Sequence, residues 1–119
     1  MNINPIKATT WVGETDFELE VLQSTQPVLV AFWAPWSRPC QVIDIVLDEV
    51  AAAFAGSVKV VKVNADNHPA LGLLYEIQSI PTLLFFVGGV VREKFIGTAS
   101  KDAILSKLQS VAPNEHRNQ

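Results

Sequence analysis

Ser37-Arg38-Pro39-Cys40 stands directly behind Trp33-Ala34-Pro35-Trp36. Ahead of these residues runs the apolar stretch Val28-Leu29-Val30-Ala31-Phe32, and a helical pattern begins near Pro39. A buried strand that ends in a tight turn and feeds a helix start sets side chains beside unpaired N–H groups and the positive end of a helix dipole. A thiolate is stabilised in such a place, so Cys40 is the first candidate for chemistry. Ser37, three residues earlier, has an ordinary role available as the helix N-cap. Cys40, His68 and His116 do not have the spacing of a zinc site. His68, beside Pro69, reads as a solvated loop residue, and His116 belongs to a polar, frayed ending.

The elements that must position this segment follow from apolar periodicity. Residues 3–8 suggest a short edge strand, weakened by Pro5. Thr15-Asp16-Phe17-Glu18 has the form of a capping box with Thr15 as N-cap, and the Phe17/Val21 spacing favours helix over the alternating strand reading. Residues 28–33 are continuously apolar, as in a strand covered on both faces. From 39 to 54, Ile43, Leu47, Val50 and Phe54 recur at helical spacing, with Gly56 as a stop. Asp44 interrupts that apolar face, and Asp48-Glu49 mark its wet side. A second strand at 58–64 is broken by Lys59 and Lys62, and Asp66-Asn67-His68-Pro69 turns into a short helix. Residues 82–87 and 90–96 flank Gly88-Gly89 as a β-hairpin. Ser100 then caps a last helix with Ile104, Leu108 and Val111 on one face. The order β-α-β-α-β-α-β-β-α predicts an α/β fold, a mixed central sheet with helices on both faces.

Composition narrows the function classes. A length of 119 residues suits one domain, read as 1–111 with a polar tail at 112–119. With 49% of residues hydrophobic, a core forms without disulfide staples. A net charge of −3 makes no electrostatic case for nucleic acid or an anionic membrane surface. No run reaches transmembrane length, and Met1-Asn2-Ile3-Asn4-Pro5-Ile6-Lys7 lacks the form of a secretory signal. A single cysteine excludes an internal disulfide and favours a reducing, cytoplasmic setting.

The segment at 33–40 resembles the active site of the thioredoxin family, which reads Trp-Cys-Gly-Pro-Cys at a strand-to-helix junction. The resemblance extends from about Thr15 to Val111 and implies the thioredoxin fold. Ser37 falls at the position of the nucleophilic cysteine, Arg38 at that of the glycine, and Pro39 and Cys40 match, Cys40 as the resolving thiol. A proline before a strand is ordinary by itself, since the first strand position tolerates a missing N–H. For Ile80-Pro81-Thr82 the resemblance implies a cis-proline packed against the active-site turn, with the preceding backbone pairing with a substrate chain. It also implies that Trp36 and Gly97 border the peptide groove, and that Trp33 and Lys62 support the site. The implied activity is protein-disulfide reduction on disulfide-containing proteins, recharged by a thioredoxin reductase-type donor, in a monomer without cofactor. In that chemistry the first thiolate attacks the substrate disulfide and the second thiol resolves the mixed disulfide. A serine hydroxyl is too weakly acidic and too poor a sulfur nucleophile for the first step, so the chain as written is expected to be inactive or strongly impaired.

Other positions depart from the family pattern as well. Ala31 stands where the family has a buried aspartate, so Lys62 is expected to lack its acidic partner and Cys40 to lack general-base help. Ile45 replaces a kinking proline, which predicts a straighter helix. Ser79 replaces a glycine, and Arg38 adds a full charge to the turn. Three readings stay open. Ser37 is an engineered replacement in a Trp-Cys-Arg-Pro-Cys reductase; or the domain is a naturally non-redox peptide-binding or chaperone-like module; or Cys40 works as a lone thiol, although monothiol relatives of this chemistry keep the first cysteine and not the second.

Overall fold

The computed structural model describes residues 9–111. Five strands form one sheet in the order β1-β3-β2-β4-β5, from Thr10–Trp11 (β1), Val28–Trp33 (β2), Lys59–Asn64 (β3), Thr82–Val87 (β4) and Val90–Ile96 (β5). β1, β3 and β2 run parallel, while β4 is antiparallel to both β2 and β5. The helices are Arg38–Ala53 (α1), Pro69–Leu74 (α2) and Lys101–Val111 (α3), with a π-helical segment at Glu18–Leu22.

Strand alternation sorts the core into two layers. Leu29, Ala31, Val60, Leu83 and Phe85 face Ile43, Leu47 and Val50 of α1 and Ile104 and Leu108 of α3. Val28, Val30, Phe32, Val61, Val63, Leu84 and Phe86 face Phe17, Val21 and Leu71 on the opposite side. β2 is therefore apolar at every position because both of its faces are covered. The expected mixed sheet with helices on both faces is the one observed.

The expectations about element ends need some correction. The strand expected at 3–8, the tail at 112–119 and His116 lie outside the described residues, and the first described strand is Thr10–Trp11. Thr15 caps no helix. The Asp16 carboxylate accepts the Gly13 N–H at 2.7 Å instead, and the helical backbone begins after Phe17 without a side-chain cap. Asp16 folds back on the turn before it, and the helical segment starts two residues later than the capping-box spacing predicts. Phe17 and Val21 nevertheless bury together as their spacing predicts. Val58 precedes β3 rather than opening it. α1 runs unbroken from Arg38 to Ala53, through Ile45. The hairpin holds as read: Gly88 and Gly89 have φ of +62° and +81°, the left-handed pair that a two-residue turn requires. Ser100 caps α3 by accepting the Ala103 N–H at 3.1 Å.

His68 is not simply solvated. Its imidazole packs onto Gly13, where an added Cβ would come within 2.3 Å of the ring, and Nδ1 lies 3.8 Å from Glu14 Oε1. A glycine opposite the ring makes that packing sterically open. No helix among the described residues is long and apolar enough to cross a membrane.

Candidate functional site

β2 delivers the chain to the site. Its last residue, Trp33, leads through a turn closed by the Ser37 N–H donating to Ala34 O at 3.2 Å. Ser37 is extended (φ −88°, ψ 118°), and its Oγ accepts the Cys40 N–H at 3.3 Å, which makes it the N-cap of α1. Arg38 and Pro39 occupy the first helical positions, where a missing proline N–H costs nothing. Cys40 is fully buried and Ser37 is 4% exposed. The Trp33 indole N–H donates to Cys40 O at 3.1 Å and pins the first turn of α1 to the strand behind it.

The start of β4 joins from the other side. Phe32 pairs with Thr82, so Pro81 enters the sheet beside the end of β2. The Ile80–Pro81 peptide bond is cis, and the Gly97 N–H donates to Pro81 O at 2.8 Å. Thr82 Oγ1 donates to Ser79 O at 2.7 Å, fixing the approach to the strand. Among the described residues, no backbone partner takes the N–H or C=O of Ile80.

Of the residues singled out from the sequence, Trp36, Ser37, Arg38, Pro39 and Ile80 line one open groove of about 760 Å³. Pro81 and Gly97 are bonded to each other at its β4 end, and Cys40 lies behind Ser37. Trp33 and Lys62 stand apart, beneath the turn. Trp36 is 67% exposed and is held by donating its indole N–H to Asp66 Oδ2 at 2.7 Å. Trp33 packs edge-on against Trp11 with ring centroids 5.0 Å apart.

The expectation that Lys62 has no acidic partner is overturned. Lys62 is in register with Ala31 of β2, and its acidic partner comes from α1 as Asp44. Asp44 Oδ1 accepts from Lys62 Nζ at 2.6 Å, and Nζ also lies 4.8 Å from the Trp11 ring and 5.3 Å from the Trp33 ring. Lys62 is 6% exposed, so its ammonium depends on that carboxylate. Asp44 was visible in the sequence as an acid breaking an apolar helix face, one helical turn beyond Cys40, and that was the available signal. Trp11, Leu73 and Asp66 also belong to the neighbourhood and carried no signal, since each reads alone as a surface residue. Among the described residues no group of metal-ligating side chains is present.

Comparison with known proteins agrees with this geometry. The family model described as Thioredoxin matches residues 8–110. Thioredoxin 1 of a Nostoc species is 42% identical over 104 residues, covering 87% of this chain and 97% of the relative. The thioredoxin of Griffithsia pacifica is 44% identical over 98 residues, covering 82% and 90%. The M-type thioredoxin of Spinacia oleracea, named chloroplastic, is 38% identical over 104 residues, covering 87% of this chain and 58% of that one. With a match across nearly the whole chain and the helix-capped turn set beside Ile80-Pro81, the chain belongs to the thioredoxin family, a family of thiol–disulfide oxidoreductases.

Proposed function

We propose that this chain keeps the polypeptide-binding groove of a thioredoxin and has lost, or retains only weakly, its dithiol exchange. The observation that carries the reading is the bond from the Cys40 N–H to Ser37 Oγ. The atom at the nucleophile position is a hydroxyl serving as a helix cap, and the one sulfur behind it is fully buried. A disulfide approaching the turn meets oxygen where it needs a thiolate, so no mixed disulfide forms at position 37. What remains is the recognition surface: Trp36 and Ile80 as apolar walls, Arg38 and Pro39 at the helix end, and the unpaired backbone of Ile80, available for strand-like pairing with an extended peptide. The roles are Ser37 as the former nucleophile position, Cys40 as the former resolving thiol, Trp36, Arg38, Pro39, Ile80, Pro81 and Gly97 as peptide-binding, and Trp33 and Lys62 as supports. The partners are disulfide-containing or extended proteins, met by a monomer in a reducing compartment such as the cytoplasm.

The Lys62–Asp44 pair favours a naturally diverged module over a reductase altered at one position. A single cysteine-to-serine change leaves the support beneath the site untouched. Here the acid that answers Lys62 sits on the helix while its strand neighbour is Ala31. The test is the variant Ser37→Cys, assayed for reduction of a disulfide protein that precipitates on reduction, with a dithiol as donor. The unaltered chain should show no turnover above the donor alone, and the folded variant only slow turnover. Vigorous turnover by Ser37→Cys would support the single-replacement reading instead, and vigorous turnover by the unaltered chain would refute the proposal. Cys40 should alkylate slowly in the native state and fast after unfolding, which separates this reading from that of a working lone thiol.

A further inference from the structure

Resting on the groove-binding reading above, we infer that the groove selects an extended segment carrying a bulky apolar residue next to an acidic one, with Leu73 and Arg38 as the specificity-determining side chains. Leu73, from α2, is 81% exposed and lines the same groove as Trp36, Ile77 and Ile80. A leucine left this exposed beside a 67% exposed tryptophan holds apolar surface that no part of the described chain covers. An apolar side chain entering the groove buries apolar surface of its lining.

Charge decides what flanks that side chain. Two ionisable residues line the groove, Arg38 and Asp66. Asp66 is committed to the chain itself, since Oδ2 holds the Trp36 indole at 2.7 Å and its backbone N–H is turned toward Asn64 Oδ1 at 2.9 Å. Arg38 is exposed and forms no ion pair among the described residues. It stands at the first position of α1, where the helix dipole adds to its positive field. A guanidinium with its donors free recognises a carboxylate, so the residue beside the apolar anchor is Asp or Glu.

The experiment uses the full chain at low ionic strength and three short blocked peptides of otherwise identical sequence, centred on Leu-Glu, Leu-Lys or Ser-Glu. Binding is followed by amide shifts of residues lining the groove. Leu-Glu should bind about three- to fivefold more tightly than Leu-Lys, the range of an exposed ion pair, with the difference shrinking as salt is added. It should bind about tenfold more tightly than Ser-Glu, the range of a part-buried leucine. Arg38→Gln should erase the first difference and Leu73→Asn the second, and both side chains are exposed, so neither change opens the core. Equal binding of Leu-Glu and Leu-Lys, or a preference that survives Arg38→Gln, overturns the acidic assignment while leaving the groove reading standing. Equal binding of Leu-Glu and Ser-Glu overturns the apolar anchor in the same way. If no peptide shifts the groove at millimolar concentration, the groove reading falls together with this one.

Discussion

Removal of the Asp44 carboxylate is the most informative perturbation of the support beneath the site. Lys62 Nζ lies 2.6 Å from Asp44 Oδ1, with side-chain exposures of 8% and 31%. Taking one partner from a fully buried pair costs about 3–5 kcal/mol, because the remaining charge is stranded. Here Asp44 is partly wet, and the Trp11 and Trp33 rings still face the ammonium, a contribution of about 0.5–2 kcal/mol. The expected cost of Asp44→Ala is therefore about 2 kcal/mol. With a urea slope of about 1–3 kcal/mol/M, the unfolding midpoint should fall by roughly 1 M. The same substitution made in a Lys62→Met background should cost far less, since no charge is then stranded, and the non-additivity should be about 1 kcal/mol or more. The difference should also persist in added salt, because a buried pair is poorly screened. If Asp44→Ala costs less than about 0.5 kcal/mol, or costs the same with Lys62 intact as in the Lys62→Met background, the pair does not hold the lysine in place and this reasoning fails.

Three further outcomes follow from other contacts. Ser37→Ala removes the acceptor for the Cys40 N–H and should lower stability by about 1 kcal/mol in urea unfolding, with Ser37→Gly costing less. Gly89→Ala should be strongly destabilising in thermal melts, by about 1–3 kcal/mol, because φ is +81° and the new Cβ would meet Leu22 O at 2.8 Å. Burial raises the Tyr75 phenol above its ordinary 10.0. The folded state therefore keeps that proton when the unfolded chain has lost it, so the contribution is complete below pH 10.0 and is lost as pH rises above it. Tyr75→Phe should flatten that part of the alkaline decline in the urea midpoint, and an unchanged decline would assign it to other groups.

The fold was legible because it rests on period. β2 and β4 announce themselves as apolar runs, α1 as a 3.6-residue repeat, and the hairpin as a glycine pair, all signals local to the segment. The turn at 33–40 was legible as a strand-to-helix junction, but its partner at 80–82 was legible through the resemblance to the thioredoxin family, since a proline before a strand is ordinary by itself. What escaped was the set of relations between segments. That Asp44 answers Lys62 depends on α1 crossing β3 at one height, and Ala31 in the sequence pointed only to a missing acid. That Leu73 shares a groove with Trp36 depends on where α2 docks. The Thr15 cap failed because residues 14–16 form a turn held by Asp16 on Gly13 and the helical segment starts only after Phe17, a shift in helix start that the capping pattern does not register.

β5 forms the long outer rim of the sheet, while β1 on the other side offers two residues among those described. Arg92, Glu93 and Lys94 follow one another along it, with Glu93 tied to Lys107 of α3 at 3.4 Å. Suppose a second molecule zipped onto this rim head to tail, centred on Glu93. Glu93 would then oppose Glu93, and each Arg92 would oppose a Lys94, so every polar pair would repel. That register is therefore disfavoured, and the irregularity of pairing where Phe85 and Phe86 meet Glu93 and Val91, together with three successive charges, makes this rim a poor template for a further strand.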